Sequence, residues 1–338
     1  SMIRRTGSSR FTDMMEKDAV LHLRKCSWIR RSWERTEGKD MQYITGIESH
    51  KWENRTAVTL GKFDGLHRGH QKLVDKIEEY GKNDGCESVL CAFDMGRDSL
   101  MTKKERRARL EGRIDWLVEY PFTRELREME AEDFIREILW KRLRAAHIVV
   151  GTDFCFGHGK RGNADMLAAC AEKYGYTLDV IEKEKYQGRV ISSTYVKEAL
   201  ADGNVSLARD LLGYPYEMSG VVEHGRQLGR TLGFPTMNIE PEPQKIMPRF
   251  GVYACRVKIG GAWYPGIGNV GVKPTVTDEK KRLLEVFAFG YGQDAYGKEI
   301  TAQFWEFERP ERQFASVEEL KEHVDGDICF GKRYFGLK

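Results

Sequence analysis

The pattern of apolar and polar positions divides the chain into two regions of different periodicity. Up to about residue 214, short apolar runs alternate with longer amphipathic stretches, a pattern typical of a parallel sheet covered by helices on both faces. It predicts strands over 56–60, 88–93, 147–150 and 178–182. It predicts helices over 71–80, 104–118, 131–143, 164–174, 194–201 and 205–212. The first region is therefore expected to be an α/β domain.

The pattern changes after Gly213-Tyr214-Pro215. From there, strand-like runs are separated by Gly and Pro turns, and they predict strands over 218–223, 251–259, 262–268, 283–289 and 299–307. Closely spaced strands of this kind indicate a small closed β-barrel. Apolar residues near helical spacing then predict one amphipathic helix over 316–335. We therefore expect domains at 41–214 and 215–338, of class α/β and class β.

Composition and charge narrow the class of protein. A chain of 338 residues is long enough for two domains, and 41% hydrophobic with 32% charged residues is typical of a soluble globular protein. The net charge is +3, but residues 1–40 hold ten Lys/Arg against six Asp/Glu, a net of +4, which leaves −1 for 41–338. The basic bias therefore lies in the N-terminal extension 1–40, for which we expect no catalytic role.

The cysteines and the N-terminal sequence bear on the cellular compartment. The seven cysteines have no spacing typical of a zinc site, and unpatterned thiols in a chain of this length favour a reducing compartment. The extension has no apolar run followed by a cleavage site, and no segment reaches the ~18 apolar residues of a membrane helix. The expected location is the cytoplasm, with no membrane partner.

The segment Gly61–His70 follows a predicted strand and opens a helix. Gly61 and Gly65 permit a tight turn, and His67 and His70, three residues apart, share one face of the first helical turn. A helix N-terminus favours phosphate, and imidazoles add hydrogen-bond donors there. This arrangement suits the attack of a phosphate on the α-phosphorus of a nucleotide. The alternative is that a histidine only caps the helix.

A second candidate site lies in the predicted barrel. Three glycines within 225–233 let the backbone approach phosphates, and Arg226 and Arg230 add positive charge. Thr236 and Asn238, at strand spacing, offer neutral oxygens that suit Mg²⁺. Glu285 lies in an otherwise apolar strand, where a carboxylate is costly without a function, so it is a candidate base. The alternatives are an ordinary glycine turn and an outward-facing glutamate.

These motifs resemble known families. Gly61–His70 resembles the HxGH signature of the nucleotidyltransferase superfamily and, with Phe63-Asp64-Gly65, the N-terminal module of prokaryotic bifunctional riboflavin kinase/FMN adenylyltransferases. Residues 149–157 are similar to the flavin-side loop of that family, and 191–194 to its second phosphate-binding segment. The barrel segments that resemble the riboflavin kinase domain are 233–238, 251–253, 264–266, 269–274 and 294–298. The resemblance covers roughly 41–338.

The resemblance implies a Rossmann-like nucleotidyltransferase domain followed by a riboflavin kinase-like barrel with a C-terminal helix. It implies two reactions, phosphorylation of riboflavin to FMN and adenylylation of FMN to FAD, with riboflavin, FMN and ATP as the partners and Mg²⁺ as the metal. The implied catalytic residues are His67, His70 and Glu285, and the implied metal ligands are Thr236 and Asn238. The implied nucleotide- and phosphate-binding residues are Gly61, Phe63, Asp64, Gly65, Ser192, Ser193, Thr194, Lys197, Gly225, Arg230 and Gly233. The implied flavin-binding residues are Asp153, Phe154 and Arg309.

Three departures from the family pattern keep other functions open. Lys62 stands where the family usually has Asn, Met95-Gly96 lies in a segment where Pro-His-Pro is common, and Tyr195 and Lys197 stand where an Arg is expected. Lysine is a point charge and lacks the bidentate fork of arginine. One alternative is therefore a riboflavin kinase with a degenerate first domain. Another is a nucleic-acid-binding protein, favoured only by the basic extension.

Overall fold

A computed structural model describes residues 40–48, 50–94, 96, 98–223, 233–274 and 280–338. Of the residues that the sequence singles out, Met95, Gly225, Arg226 and Arg230 lie outside this description, as does the extension before residue 40.

A six-stranded parallel sheet forms the centre of the first region. Its strands and the short strands beside it are β1 (Gln42–Thr45), β2 (Thr56–Gly61), β3 (Glu87–Asp94), β4 (Trp116–Pro121), β5 (Ala145–Gly151), β6 (Cys155–Phe156), β7 (Gly162–Asn163), β8 (Thr177–Ile181), β9 (Lys185–Tyr186) and β10 (Arg189–Val190). The sheet order is β1-β4-β3-β2-β5-β8, with every neighbouring pair parallel. Most side chains of β2, β3 and β5 are buried, as in strands covered on both faces. The parallel sheet is confirmed.

Helices cover the sheet at most of the predicted places. They are α1 (Arg68–Asn83), α2 (Lys103–Leu110), α3 (Arg124–Glu128), α4 (Ala131–Asp133, continued in π geometry by Phe134–Arg142), α5 (Ala164–Tyr174), α6 (Ser193–Ala201) and α7 (Val205–Leu212). In α1, Leu73, Val74 and Ile77 recur at helical spacing and are buried under the sheet.

The predicted helix over 104–118 is wrong. Helix α2 ends at Leu110, Gly112 takes a left-handed φ of 76°, and the chain then enters β4. Asp115 fixes this entry because its carboxylate accepts from the backbone N–H of Ser88, 2.8 Å away, on the neighbouring strand. The apolar residues Leu117 and Val118 therefore fill the sheet and do not extend a helix. Gly112 was the available signal for the break.

The second region is a closed antiparallel barrel. Its strands are β11 (Glu217–Glu223), β12 (Met237–Ile239), β13 (Gly251–Ile259), β14 (Ala262–Pro274), β15 (Lys280–Ala288) and β16 (Glu299–Pro310), in the order β11-β12-β15-β14-β13-β16. Leu284, Val286 and Ala288 of β15 point into its core. Helix α8 (Val317–Tyr334) packs outside, where a Cβ on Gly331 would lie 2.6 Å from Ile267 Cγ2. The predicted barrel and helix are confirmed, although the three-residue β12 was not predicted as a separate strand.

The sheet domain and the barrel pack directly against each other. One hydrophobic cluster contains residues of both, among them Leu66, Leu212 and Met218. Ion pairs cross the same boundary, and one of them joins Arg109 Nη2 to Glu217 Oε1 at 2.6 Å. Within the described ranges, none of the helices combines the length and apolar character that crossing a bilayer requires.

Candidate functional site

The turn between β2 and α1 has a backbone that only certain residues adopt easily. Phe63 takes a left-handed φ of 46° and Gly65 a φ of 81°, on either side of Asp64. A Cβ on Gly65 would lie 2.8 Å from Leu100 Cδ1, so this position also lacks space for a side chain. The phenyl ring of Phe63 is buried and anchors the turn to the core. The predicted tight turn is therefore built by conformation and by close packing.

The two histidines of the motif meet at the start of α1. Their rings are stacked with centroids 3.7 Å apart, and His67 Nδ1 accepts from the backbone N–H of His70 at 3.4 Å. Burial lowers the pKa of His67 to about 4. Burial, followed by the charges of His67 and Arg106, lowers the pKa of His70 as well. Both imidazoles are therefore neutral at pH 7, and His70 Nδ1 is buried with no protein partner among the described residues.

The second phosphate segment lies against this turn although it is more than 120 residues away in the chain. Ser193 Oγ donates to the carbonyl oxygen of Asp64 at 2.9 Å, and Lys197 Nζ lies 3.0 Å from Asp64 Oδ2. Ser192 is the N-cap of α6, accepting from the backbone N–H of Tyr195, while Thr194 is exposed in the first turn. The fold thus brings Ser193 and Lys197 to the histidine turn, at the carboxyl edge of the sheet.

The candidate flavin-side loop reaches the same edge. Asp153 and Phe154 lie between β5 and β6, and the charge of Asp153 is near enough to oppose the lowering of the His67 pKa. Asp153 forms an ion pair with Lys183 at 2.7 Å, and the ring of Phe154 stacks on Phe156. The loop follows β5, the sheet neighbour of β2, so it leaves the same edge of the sheet as the histidine turn.

Some neighbours of the turn were not singled out by sequence reasoning. Arg68, the first residue of α1, forms an ion pair with Glu184. Arg106 of α2 holds Glu119 of β4 with both carboxylate oxygens 2.7 Å from Nη1, and both side chains are almost fully buried. The charge of Arg106 acts on His70. A buried charged pair between distant elements leaves no local motif, so no pattern in the sequence indicates it.

The barrel brings three polar side chains into one row. Asn238 of β12 is the cross-strand partner of Glu285 of β15, which is in turn the partner of Asn269 of β14. Directly opposed residues point to the same face of a sheet, and here that face is the outer one, because the flanking Leu284 and Val286 point inward. Thr236 lies just before β12, with Gly233 exposed ahead of it. Asn269 belonged to a recognised motif but was not predicted as a site residue.

The oxygen chemistry of this row fits a divalent cation. Asn238 Oδ1 is buried, and it has no hydrogen-bond partner within the described part of the chain. A buried carbonyl-type oxygen without a donor is costly unless a ligand satisfies it. Such an oxygen, with a neighbouring threonine hydroxyl, belongs to the donor class that Mg²⁺ prefers when phosphates complete its coordination.

Arg309 connects the barrel to the C-terminal helix. Its Nε and Nη2 donate to the two carboxylate oxygens of Asp327 on α8, at 2.7 and 2.6 Å. Beside it, burial and then the charge of Asp327 raise the pKa of Glu308 to about 7. Arg309 therefore ties α8 to β16 on the outside of the barrel.

The fold and the two candidate sites define a class of protein, one that joins a nucleotidyltransferase-type sheet domain to a riboflavin kinase-type barrel. The family model described as FAD synthetase matches residues 49–195, and the one described as riboflavin kinase matches 212–335. Curated relatives match both regions together. The chain belongs to the bifunctional riboflavin kinase/FMN adenylyltransferase family, which confirms the resemblance in the sequence.

The similarity to these relatives extends over nearly their whole length. The bifunctional riboflavin kinase/FMN adenylyltransferase of Escherichia coli K12 is 35% identical over 311 residues, covering 88% of this chain and 99% of that protein. The Pseudomonas fluorescens protein of the same description is 35% identical over 301 residues, covering 86% and 96%. Among solved structures, one described as a macrolide-efflux protein from Streptococcus pneumoniae superposes with a TM-score of 0.76 at 27% identity, covering 86% of this chain and 98% of that one.

Proposed function

We propose that this chain catalyses two successive reactions of flavin-cofactor synthesis. Residues 215–338 transfer the γ-phosphate of ATP to the 5′-hydroxyl of riboflavin, which gives FMN and ADP. Residues 41–214 then join FMN to the AMP part of a second ATP, which gives FAD and pyrophosphate. The extension 1–40 takes no part in either reaction. Membership of a family with both domains, over nearly the full length of its relatives, supports this assignment.

In the adenylyl transfer, an FMN phosphate oxygen attacks the α-phosphorus of ATP and pyrophosphate leaves in line with it. No covalent enzyme intermediate is needed, because positioning and neutralisation of charge supply the catalysis. His67 and His70 are neutral donors that hydrogen-bond the developing negative charge. Ser192, Ser193, Thr194 and Lys197 hold phosphates in this scheme. Asp153 and Phe154 contact the flavin.

In the kinase reaction, Glu285 accepts the proton of the riboflavin 5′-hydroxyl as that oxygen attacks the γ-phosphorus. Mg²⁺ bound by Thr236 and Asn238 would neutralise negative charge on the ATP phosphates. Gly225, Arg230 and Gly233 approach the phosphates, and Arg309 contacts the flavin side. The cross-strand pairing of Asn238 with Glu285 supports this division of roles, because it sets the base next to the metal ligand.

The observation that carries the second reaction is the stacked pair of neutral histidines, with Lys197 bound to Asp64 of the turn that precedes them. In the alternative, a kinase with a degenerate first domain, the substitutions at Lys62, Tyr195 and Lys197 would have removed phosphate binding. The ion pair of Lys197 with Asp64 favours the bifunctional proposal, because it keeps a cation at the histidine turn.

Incubation of the purified full chain with ATP and Mg²⁺ tests both halves, once with riboflavin and once with FMN, with flavins separated by chromatography. We expect FMN and then FAD from riboflavin, and FAD from FMN. Formation of FMN without FAD after long incubation would establish the kinase-only alternative. A chain lacking 1–40 should retain both activities, and EDTA should stop the formation of FMN.

A further inference from the structure

The segment that precedes α2 forms a direct bridge between the two domains. The backbone N–H of Ser99 donates to the carbonyl oxygen of Gln244 at 2.7 Å, and the N–H of Ile246 donates to that of Ser99 at 2.9 Å. Ser99 and Lys245 thus pair like residues of two parallel strands. Leu100, the next residue, therefore lies between the barrel and the histidine turn.

On the barrel side, the ammonium of Lys245 holds Leu100. The Lys245 side chain is 3% exposed. Its Nζ donates to the carbonyl oxygen of Leu100 at 2.8 Å and to Glu105 Oε2 at 2.5 Å. The backbone of Lys245 is fixed in turn, because Arg282 of β15 donates to its carbonyl oxygen at 3.0 Å. Burying an ammonium is costly without such partners, so its position is tightly defined.

On the other side, Leu100 holds the histidine turn. Its backbone N–H donates to Asp64 Oδ1 at 2.7 Å, and its side chain occupies the space that a Cβ on Gly65 would need. The other carboxylate oxygen of Asp64 accepts from Lys197. One residue, Leu100, therefore separates the buried ammonium of the barrel from the turn that carries the two histidines.

We propose that Lys245 of the barrel is a positioning residue for adenylyl transfer, fixing the Asp64–Gly65 turn through Leu100. This inference rests on the proposed FMN adenylyltransferase function of the sheet domain. It makes the barrel a structural part of the adenylyl-transfer site, in addition to its own kinase site. In this scheme Lys245 contacts neither FMN nor ATP. Through Leu100 it fixes the position of Asp64, and therefore the positions of Lys197 and of the first residue of α1.

The first test compares two lysine-to-methionine variants. Lys245→Met removes the hydrogen bond to Leu100, and Lys104→Met removes a second Lys–Glu pair across the same boundary. Lys104 Nζ lies 2.5 Å from Glu299 Oε1 with both side chains exposed, and this pair does not include Leu100 or Asp64. We expect Lys245→Met to lower kcat for FAD formation by between about tenfold and about a hundredfold, since small misplacements of reacting groups have such effects. Riboflavin phosphorylation in that variant, and both activities of Lys104→Met, should be unchanged.

The second test asks whether Lys245 acts through Asp64. In an Asp64→Ala background the hydrogen bond from Leu100 is already lost, and only the packing of Leu100 against Gly65 remains, so Lys245→Met should cause a clearly smaller further loss. Single-turnover assays with excess enzyme keep the low rates measurable. An equal loss in both backgrounds, or full FAD formation by Lys245→Met, would overturn the proposal. Should Lys245→Met fail to fold, as loss of kinase activity would reveal, the double variant Lys245→Met/Glu105→Gln, which leaves no unpaired buried carboxylate, replaces it in the same cycle with the same expectation.

The rate of FAD formation by the unmodified chain distinguishes a failure of this proposal from a failure of the proposed function on which it rests. Absence of FAD formation by the unmodified chain would refute the proposed function itself. A normal rate in the unmodified chain with an unaffected Lys245→Met variant would refute only the positioning role.

Discussion

Tyr214, at the junction of the two domains, donates its hydroxyl to the carbonyl oxygen of Gly65 in the histidine turn. The guanidinium of Arg109 lies over the tyrosine ring, 3.3 Å from its centroid. Burial raises the pKa of this phenol above its ordinary value, so the hydroxyl keeps its proton at neutral pH and can donate it. The histidine turn is thus held by the residue at which the chain leaves the sheet domain.

Tyr214→Phe should therefore affect both stability and adenylyl transfer. It leaves a buried carbonyl oxygen unpaired, which costs about 1–3 kcal/mol of unfolding free energy. We expect FAD formation from FMN to fall as well, measured by initial rates together with urea denaturation. Tyr253→Phe is the matched control, because its hydroxyl donates to the carbonyl oxygen of Arg249 in the barrel. Equal FAD rates in the two variants would contradict this prediction.

His70→Asn should separate the two activities. The substitution removes one neutral donor from the stacked pair, and loss of one such donor lowers kcat by about 10²–10³-fold in comparable sites. FAD formation from FMN should fall by this order, while FMN formation from riboflavin is retained. His147→Asn is a suitable control, since the contacts of His147 with Thr177 and Asp84 lie outside the histidine turn. Loss of kinase activity in His70→Asn would argue against separate sites.

The buried His67 should make stability depend on pH. Burial lowers its pKa from 6.5 to about 4, so as the pH falls below 6.5 the unfolded chain takes up this proton first. The contribution of the neutral, buried His67 to the free energy of unfolding is therefore fully present above pH 6.5. It is lost progressively as the pH falls to about 4, and the loss over that window can reach about 3 kcal/mol. Denaturant unfolding of the nucleotide-free chain and of His67→Asn, at several pH values, measures it. A difference between the two proteins that does not change with pH would contradict the assignment.

Glu285→Gln should abolish FMN formation and spare FAD formation from supplied FMN. The amide keeps the shape of the side chain but cannot accept the hydroxyl proton. Its cross-strand neighbours Asn238 and Asn269 remain in place, so ATP should still bind to the barrel. Binding of ATP and Mg²⁺ measured by calorimetry checks this second expectation. Glu299→Gln, at the exposed end of β16, serves as the control, and full kinase activity in Glu285→Gln would refute the role of a base.

Asp327→Asn should loosen α8. The carboxylate accepts a bidentate pair of hydrogen bonds from Arg309, and an amide can accept only one of them. We expect KM for riboflavin to rise several-fold with a smaller change in kcat, and faster hydrogen exchange in 317–334. Asp325→Asn changes a neighbouring exposed carboxylate of the same helix and should alter neither quantity. Unchanged exchange in Asp327→Asn would show that this ion pair does not hold the helix.

Local patterns were enough to predict the architecture and the polar motifs. The strand-turn-helix around His67 and His70 follows from glycine positions and spacing, and the barrel follows from closely spaced strands. The error at 104–118 arose because Trp116–Pro121 is short and apolar, so its periodicity could not separate a strand from a helix. The ion pair of Arg106 with Glu119 and the contact of Lys245 with Leu100 join residues that only the tertiary fold brings together. No spacing rule contains that information.

The order of residues along the chain gives the Lys245–Leu100 contact a consequence for biosynthesis. Translation proceeds from the N-terminus, and domains generally fold as they are completed. The whole sheet, both histidines and Leu100 are therefore made before Lys245 leaves the ribosome. The nascent sheet domain can collapse around its own core, but the hydrogen bond that fixes Leu100 has to wait for the barrel. The sheet domain, although synthesised first, thus completes the contacts of its histidine turn only after the barrel has been made.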